Sequence, residues 1–228
     1  MLLESVEVKD FRNLRGSLIP SSGLNVLVGD NGRGKTNWLE AIYLLSTTKS
    51  FKTAKPQEMI RFGEELAIVR GRVRQSEEIT RELQIALQPG TRTLSVNGKR
   101  ETLHEYLGEL HAVVFNSDAV DIVRGHPDTR RRFLDDAIVS LHPPFVQTFA
   151  DYNRVIKQKN SLLQSARDNE LGLDKITEML EPWNEQLASL ATRIHKGRVR
   201  IVERLNEALE RNLFGSEVVS IRHVSSLE

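Results

Sequence analysis

Residues 24–42 read LNVLVGDNGRGKTNWLEAI, and the chain changes character in the middle of them. Apolar side chains crowd up to Val28. Eight residues then carry three glycines, and from Thr36 onward Trp38, Leu39, Ile42 and Leu45 recur at three- and four-residue spacing. This pattern predicts a buried strand over 24–28 and an amphipathic helix from Thr36 to about Thr47, with the glycines on the turn between them. Gly29-Asp30-Asn31-Gly32-Arg33-Gly34-Lys35-Thr36 fits G-x-x-x-x-G-K-[ST], the phosphate-binding loop. Polyphosphate oxygens are best held by several backbone N–H groups converging at a helix N-terminus, and residues without a Cβ let the backbone approach that closely. Lys35 is then expected at the β and γ phosphates of ATP, and the Thr36 hydroxyl on Mg²⁺.

The regions around the loop have other textures. Leu3, Val6 and Val8 alternate with polar residues over 2–8, which suggests an outer strand, and Pro20-Ser21-Ser22-Gly23 supplies a turn before Leu24. Over 66–96 three alternating segments (Ala67 and Val69; Leu83, Ile85 and Leu87; Leu94 and Val96) predict an antiparallel meander, with turns at Gln88-Pro89-Gly90 and Asn97-Gly98. Ala112–Phe115 reads as a strand returning to the main sheet. After Gly125 the pattern is helical: Pro127 to about Leu141, Phe145 to about Ala166, and about Trp183 to Leu213, with His142-Pro143-Pro144 as an interruption. The third helix is long for a compact bundle and favours a protruding helical subdomain. Val218–Val224 reads as the first strand of a further element.

Composition sets limits on function. The chain has 228 residues, 39% of them hydrophobic, enough for a core. Thirty-two basic residues face 31 acidic ones, so charge neither proposes nor excludes nucleic acid. There is no cysteine, which removes disulfides, thiolate nucleophiles and cysteine-ligated metals. The start, MLLESVEVKDFRN, lacks the pattern of a signal peptide, and no apolar run approaches the roughly 20 residues that span a bilayer. A soluble chain without membrane association, located in the cytoplasm, is expected.

A phosphate loop names a ligand and leaves the function open. Hydrolysis usually requires an apolar strand ending in an acid to organise Mg²⁺ and the attacking water. Ala112-Val113-Val114-Phe115 instead ends in Asn116 and Ser117, and Asp135-Asp136 lies within a helical pattern. No LSGGQ-like turn is present either.

Five segments in order, VKDFRNL (Val8–Leu14), VGDNGRGKTNWLEAIYLL (Val28–Leu45), VNGKR (Val96–Arg100), RGHPDTRRRFLDDAI (Arg124–Ile138) and YNRVIKQKNSLL (Tyr152–Leu163), resemble the RecF family. These are ATP-dependent bacterial DNA replication and repair proteins, related to the head domains of structural-maintenance-of-chromosomes proteins. The resemblance implies an α/β P-loop NTPase fold: an ABC-type ATPase head lobe with an antiparallel β layer, plus a helical second lobe. The expected divisions are 1–123 for the ATP-binding lobe, 124–215 for the helical lobe and 216–228 for the start of a return to the first. RecF proteins are longer, and their signature turn and acidic strand end lie beyond the matched segments, so an N-terminal portion with an incomplete hydrolysis centre is expected. ATP would then be sandwiched in an ATP-dependent homodimer that holds duplex or gapped DNA, with a RecR-type mediator as partner.

Carried onto this sequence, the resemblance makes Gly29, Asp30, Asn31, Gly32, Arg33, Gly34, Lys35 and Thr36 the ATP loop. Arg12 and Asn13 either approach the nucleotide base or cap a surface turn. Ser117 replaces a proline common in the family, while Asp118 keeps the acid and is a candidate Mg²⁺ or water contact alongside Thr36. Arg130, Arg131 and Arg132 are either phosphate or subunit contacts or ordinary solvated arginines. Arg154, Lys157 and Lys159, and likewise Arg193, Lys196, Arg198, Arg200 and Arg204, are charged helix surfaces, either ordinary solvated faces or a weak DNA contact. Two other classes compete. A small P-loop kinase would use Arg130–Arg132 as lid arginines and phosphorylate an acceptor; a nucleotide-independent helical scaffold would leave the loop without a ligand.

Overall fold

The computed structural model describes residues 1–210 and 218–225, which divide into two compact units, Met1–Ser117 and Asp118–Glu228. The first unit is built on a six-stranded antiparallel sheet: β1 (Leu2–Phe11), β2 (Leu14–Leu18), β3 (Ala67–Arg74), β4 (Thr80–Gln88), β5 (Thr91–Val96) and β6 (Lys99–Glu101), in the order β2-β1-β3-β4-β5-β6. The meander predicted over 66–96 is β3–β4–β5, and its turns follow the residues: Gly90 takes φ 78°, and Asn97 and Gly98 take φ 51° and 77°. β1 is an inner strand rather than an outer one, because Arg12 at φ 54° turns the chain back into β2.

One face of this sheet is apolar, as the period of two requires. Val6, Val8, Val69, Val73, Leu83, Ile85 and Leu87 are buried on it beneath helix α1 (Lys35–Thr47), which contributes Ala41, Leu44 and Leu45. Gly71 in β3 makes room for α1: a Cβ there would stand 2.7 Å from Leu45 Cδ1. The other face is polar, with Arg72 and Arg74 reaching across to Glu4 at 3.1 and 3.0 Å. A 3₁₀ turn at Pro56–Met59 and the short helix α2 (Leu103–Tyr106) close the unit.

Three predicted strands do not form. Leu24–Val28, Ala112–Phe115 and Val218–Val224 carry no regular secondary structure. Leu24 and Val28 are 90% and 87% exposed, and Val113 and Phe115 97% and 89%. A buried strand is stabilised by ladders on its edges and cover on its faces, and the described residues supply neither to these segments. At the start of the second, the Ala112 amide donates to Ser46 Oγ at 2.9 Å.

A 3₁₀ turn at Ser117–Val120 leads from the last residue of the first unit into the second, whose helices are the short α3 (Asp121–Arg124), α4 (Pro127–Leu141), α5 (Phe145–Asp168) and α6 (Leu173–Leu209). Pro127 opens α4 as expected, since the missing N–H costs nothing in a first turn. α6 starts ten residues before the predicted Trp183 because Pro182 lies inside it; its expected end at Leu213 falls outside the described residues. α5 and α6 pair as a hairpin, with Val155, Ala166, Leu190, Ile194, Ile201 and Val202 among the buried side chains. Arg198 and Asp135 join α6 to α4 through two hydrogen bonds of 2.7 and 2.9 Å. No helix among the described residues is long and apolar enough to cross a membrane.

Candidate nucleotide-binding site

The loop Gly29–Thr36 enters α1 through Gly34, which sits at the N-cap with φ 95° and accepts from the amides of Asn37 and Trp38 at 2.9 and 3.1 Å. A side chain is excluded there twice over. The backbone is left-handed, and a Cβ would stand 2.5 Å from Leu14 Cδ2 and 2.8 Å from Asn13 Oδ1. Gly29 and Gly32 also have positive φ, but a Cβ on either would meet nothing within 4 Å. Their outer side is therefore open space that a ligand can occupy. Lys35 Nζ curls over this loop and donates to the carbonyls of Gly29 and Asp30 at 2.6 and 2.8 Å. Thr36 is exposed in the first turn of α1, and Asp30 and Arg33 form an exposed pair at 3.9 Å. The free N–H groups of a helix start, three left-handed glycines and an ammonium suit a polyphosphate.

Asn13 lies directly against the loop. Its Nδ2 donates to the Gly32 carbonyl at 2.8 Å and its Oδ1 accepts from Asn37 Nδ2 at 2.7 Å. Arg12 is held further in: Nη2 and Nε donate to the two oxygens of Glu40 at 2.6 and 3.1 Å, and Nη1 donates to the Glu58 carbonyl at 2.5 Å. Glu40, which is fully buried, also accepts from Ser50 Oγ at 2.6 Å. Composition and motif reading missed Glu40, Ser50 and Lys52. A detectable signal existed, since Glu40 is a carboxylate amid Trp38, Leu39, Ala41 and Ile42 and one helical turn from Leu44.

The other candidates lie in the second unit. Asp118 is exposed in its opening 3₁₀ turn. Among the described residues no group of three or more acids and histidines could hold a metal ion, so Thr36 remains the loop's own candidate donor. Arg130, Arg131 and Arg132 fan around the start of α4; Arg130 donates to the Gly125 carbonyl at 2.9 Å, Arg131 pairs with Asp128, and Arg132 is exposed. On α5, Arg154 pairs with Asp151 at 2.7 Å, Lys157 is exposed, and Lys159 donates to Asn184 at 2.6 Å. The basic residues of α6 are arranged differently. Arg193, Lys196, Arg200 and Arg204, at i, i+3, i+7 and i+11, line one exposed face for roughly 16 Å, while Arg198 points to Asp135.

The family model for the RecF/RecN/SMC N-terminal domain matches residues 2–191. The chain belongs to that family. Curated RecF/RecN/SMC relatives include the DNA replication and repair protein RecF of Geobacter sp. (strain M21), 36% identical over 212 residues, covering 92% of this chain and 56% of that protein. RecF of Gloeobacter violaceus is 40% identical over 208 residues, covering 90% and 54%. Among solved structures, the recombination mediator protein RecF with ATP, described in the RecFOR pathway, has a TM-score of 0.85 and 31% identity over 94% of this chain and 57% of that one. The chain thus spans just over half the length of the RecF proteins it matches. The α/β head fold with an antiparallel β layer and added helices agrees with this family membership.

Proposed function

We propose that this chain is the nucleotide-binding part of an ATP-dependent DNA replication and repair protein of RecF type. The observation that carries the reading is the loop itself, with three glycines of positive φ at the start of α1, two of them (Gly29 and Gly32) beside open space, and Lys35 over them. Lys35 and the loop amides would hold the phosphates of ATP, and Thr36 would be the protein's donor to Mg²⁺, which neutralises phosphate charge when bound. Asn13 keeps Gly32 in place, and Arg12 acts from behind through Glu40. The divisions 1–123, 124–215 and 216–228 serve as ATP-binding lobe, helical lobe and start of a return. Binding of ATP favours a homodimer, as in a sandwich whose other half lies on a partner copy; the complete hydrolysis centre belongs to the longer protein. A RecR-type mediator is the expected protein partner, in keeping with the pathway in which the relative is described.

For DNA, the α6 face supports the reading better than Arg130–Arg132. Two of those three arginines already have partners, and successive helix positions point about 100° apart. A stripe of four exposed cations has the geometry to follow a phosphate backbone. Titrating duplex and gapped DNA at several salt concentrations in the presence of Mg·ATP tests this. Converting Arg193, Lys196, Arg200 and Arg204 to alanine is expected to flatten the slope of log K against log salt by up to about 3.6, since each phosphate contact contributes close to 0.9. Replacing Arg130, Arg131 and Arg132 should change it by less than 1.5 or so on the same scale. An unchanged slope in the first variant would remove α6 from the DNA surface, and no binding by the unaltered chain would remove DNA from this portion altogether.

A further inference from the structure

Glu40 is a carboxylate with no solvent exposure on the core side of α1. Leu39 and Ala41 flank it in sequence, and a carboxylate held at zero exposure carries the cost of desolvating a charge that an apolar side chain would not. What Glu40 does instead is gather donors from two separate stretches of chain. Arg12 arrives from the β1–β2 turn with two N–H groups. Ser50 arrives from the segment after α1, with its hydroxyl 2.6 Å away, and Lys52 Nζ lies at 3.6 Å. Ser50 in turn accepts the amides of Lys52 and Thr53 at 2.9 and 3.1 Å, which shapes the chain between Ser50 and Thr53 into a tight turn.

The turn so formed reaches the phosphate loop. Lys52 Nζ donates to Asn37 Oδ1, Asn37 Nδ2 donates to Asn13 Oδ1, and Asn13 Nδ2 donates to the Gly32 carbonyl. A continuous chain of hydrogen bonds therefore runs from a buried carboxylate to the backbone of the loop. Its interior end is fixed by packing and its outer end sits on a glycine whose φ is 80°. Such chains hold geometry only while every member is satisfied.

We infer that Glu40 is a positioning residue for the nucleotide site, acting through Ser50, Lys52, Asn37 and Asn13 to hold the Gly32 carbonyl and the rim of the loop. The inference rests on the ATP reading of the loop. Glu40 touches no ligand itself. Ser50 gives the gentlest way to cut the chain, because its loss leaves Arg12 and Glu40 paired.

The test is equilibrium binding of Mg·ATP by calorimetry to the full 228-residue chain and to Ser50→Ala, Lys52→Met, their double variant and Glu40→Gln, with urea unfolding of each in the absence of nucleotide. Ser50→Ala and Lys52→Met should each weaken binding about fivefold, and the double variant should be no weaker than the worse single variant, because both cut one chain. Ser50→Thr, which restores the hydroxyl, should recover the loss. Glu40→Gln should weaken binding at least as much; where removal of its buried charge unfolds the chain, Ser50→Ala carries the test. Unaltered chain that binds, with Ser50→Ala and Lys52→Met binding equally well despite lower urea midpoints, would make Glu40 a packing feature and overturn the inference alone. Failure of the unaltered chain to bind, or equal binding by Lys35→Ala, would overturn the ATP reading and the inference with it.

Discussion

Tyr106 is 1% exposed, and its hydroxyl has no hydrogen-bond partner among the described residues. Burial raises its pKa, with Arg92 partly opposing the shift. An unpaired buried hydroxyl costs free energy that a phenyl ring of the same shape does not. Tyr106→Phe should therefore raise stability by about 1 kcal/mol in urea unfolding at neutral pH. The folded phenol holds its proton to higher pH than the unfolded one, so this group leaves stability unchanged with pH below about 10 and lowers it as pH rises further and the unfolded phenol ionises. Unfolding followed from pH 9 to 11 should show a weaker alkaline loss in Tyr106→Phe. Tyr106 was not singled out by sequence, because a lone tyrosine in a short helix has no pattern. Gly34 was, and for a traceable reason: the residue types of a phosphate loop are set by local backbone geometry. Glu40 occupies the middle ground, legible as a charge within an apolar stretch of sequence but with partners, Arg12 and Ser50, that only the tertiary structure identifies.

At the level of elements, the contact between α1 and β3 depends on Gly71, whose missing side chain admits Leu45. Gly71→Val should destabilise the chain by about 2 kcal/mol, and Leu45→Ala in the same chain should recover part of that loss, since the two changes share one contact. Urea midpoints of the single and double variants measure both; independent, additive losses would place the strain elsewhere. The meander and α4 were legible because their turn residues, Pro89-Gly90, Asn97-Gly98 and Pro127, act locally. The start of α6 was hidden by Pro182, which ends most helices but here lies within one. β2 escaped notice since Leu14–Leu18 has no alternating apolar pattern; the turn at Arg12 and pairing with β1 create it. Leu24–Val28 and Ala112–Phe115 have the composition of buried strands, yet composition supplies no neighbour to pair with. Among the described residues neither segment has a strand to pair with, and their side chains stand exposed.

Over the whole molecule, two units carry two kinds of surface. The first presents a glycine-rich loop braced by hydrogen bonds that lead back to the buried Glu40, and the second a cationic helix face on an antiparallel hairpin. A net charge of +1 means that any attraction for DNA comes from arrangement rather than total charge, so the α6 stripe and the salt slope are decisive for that part. Membership of the RecF/RecN/SMC family was legible from five short segments, and the basic residues of α6 were legible as a charged helix surface, whereas only the structure separates Arg198, which pairs with Asp135, from the four that stay exposed. The reading depends above all on the fate of ATP at Lys35. The most direct measurement incubates the 228-residue chain and Lys35→Ala with Mg·ATP and assays bound nucleotide, released phosphate and phosphorylated small molecules together. The expected result is nucleotide binding that requires Lys35, with released phosphate at background. Binding indifferent to Lys35, or phosphate appearing on a small-molecule acceptor as a kinase would place it, would contradict the account.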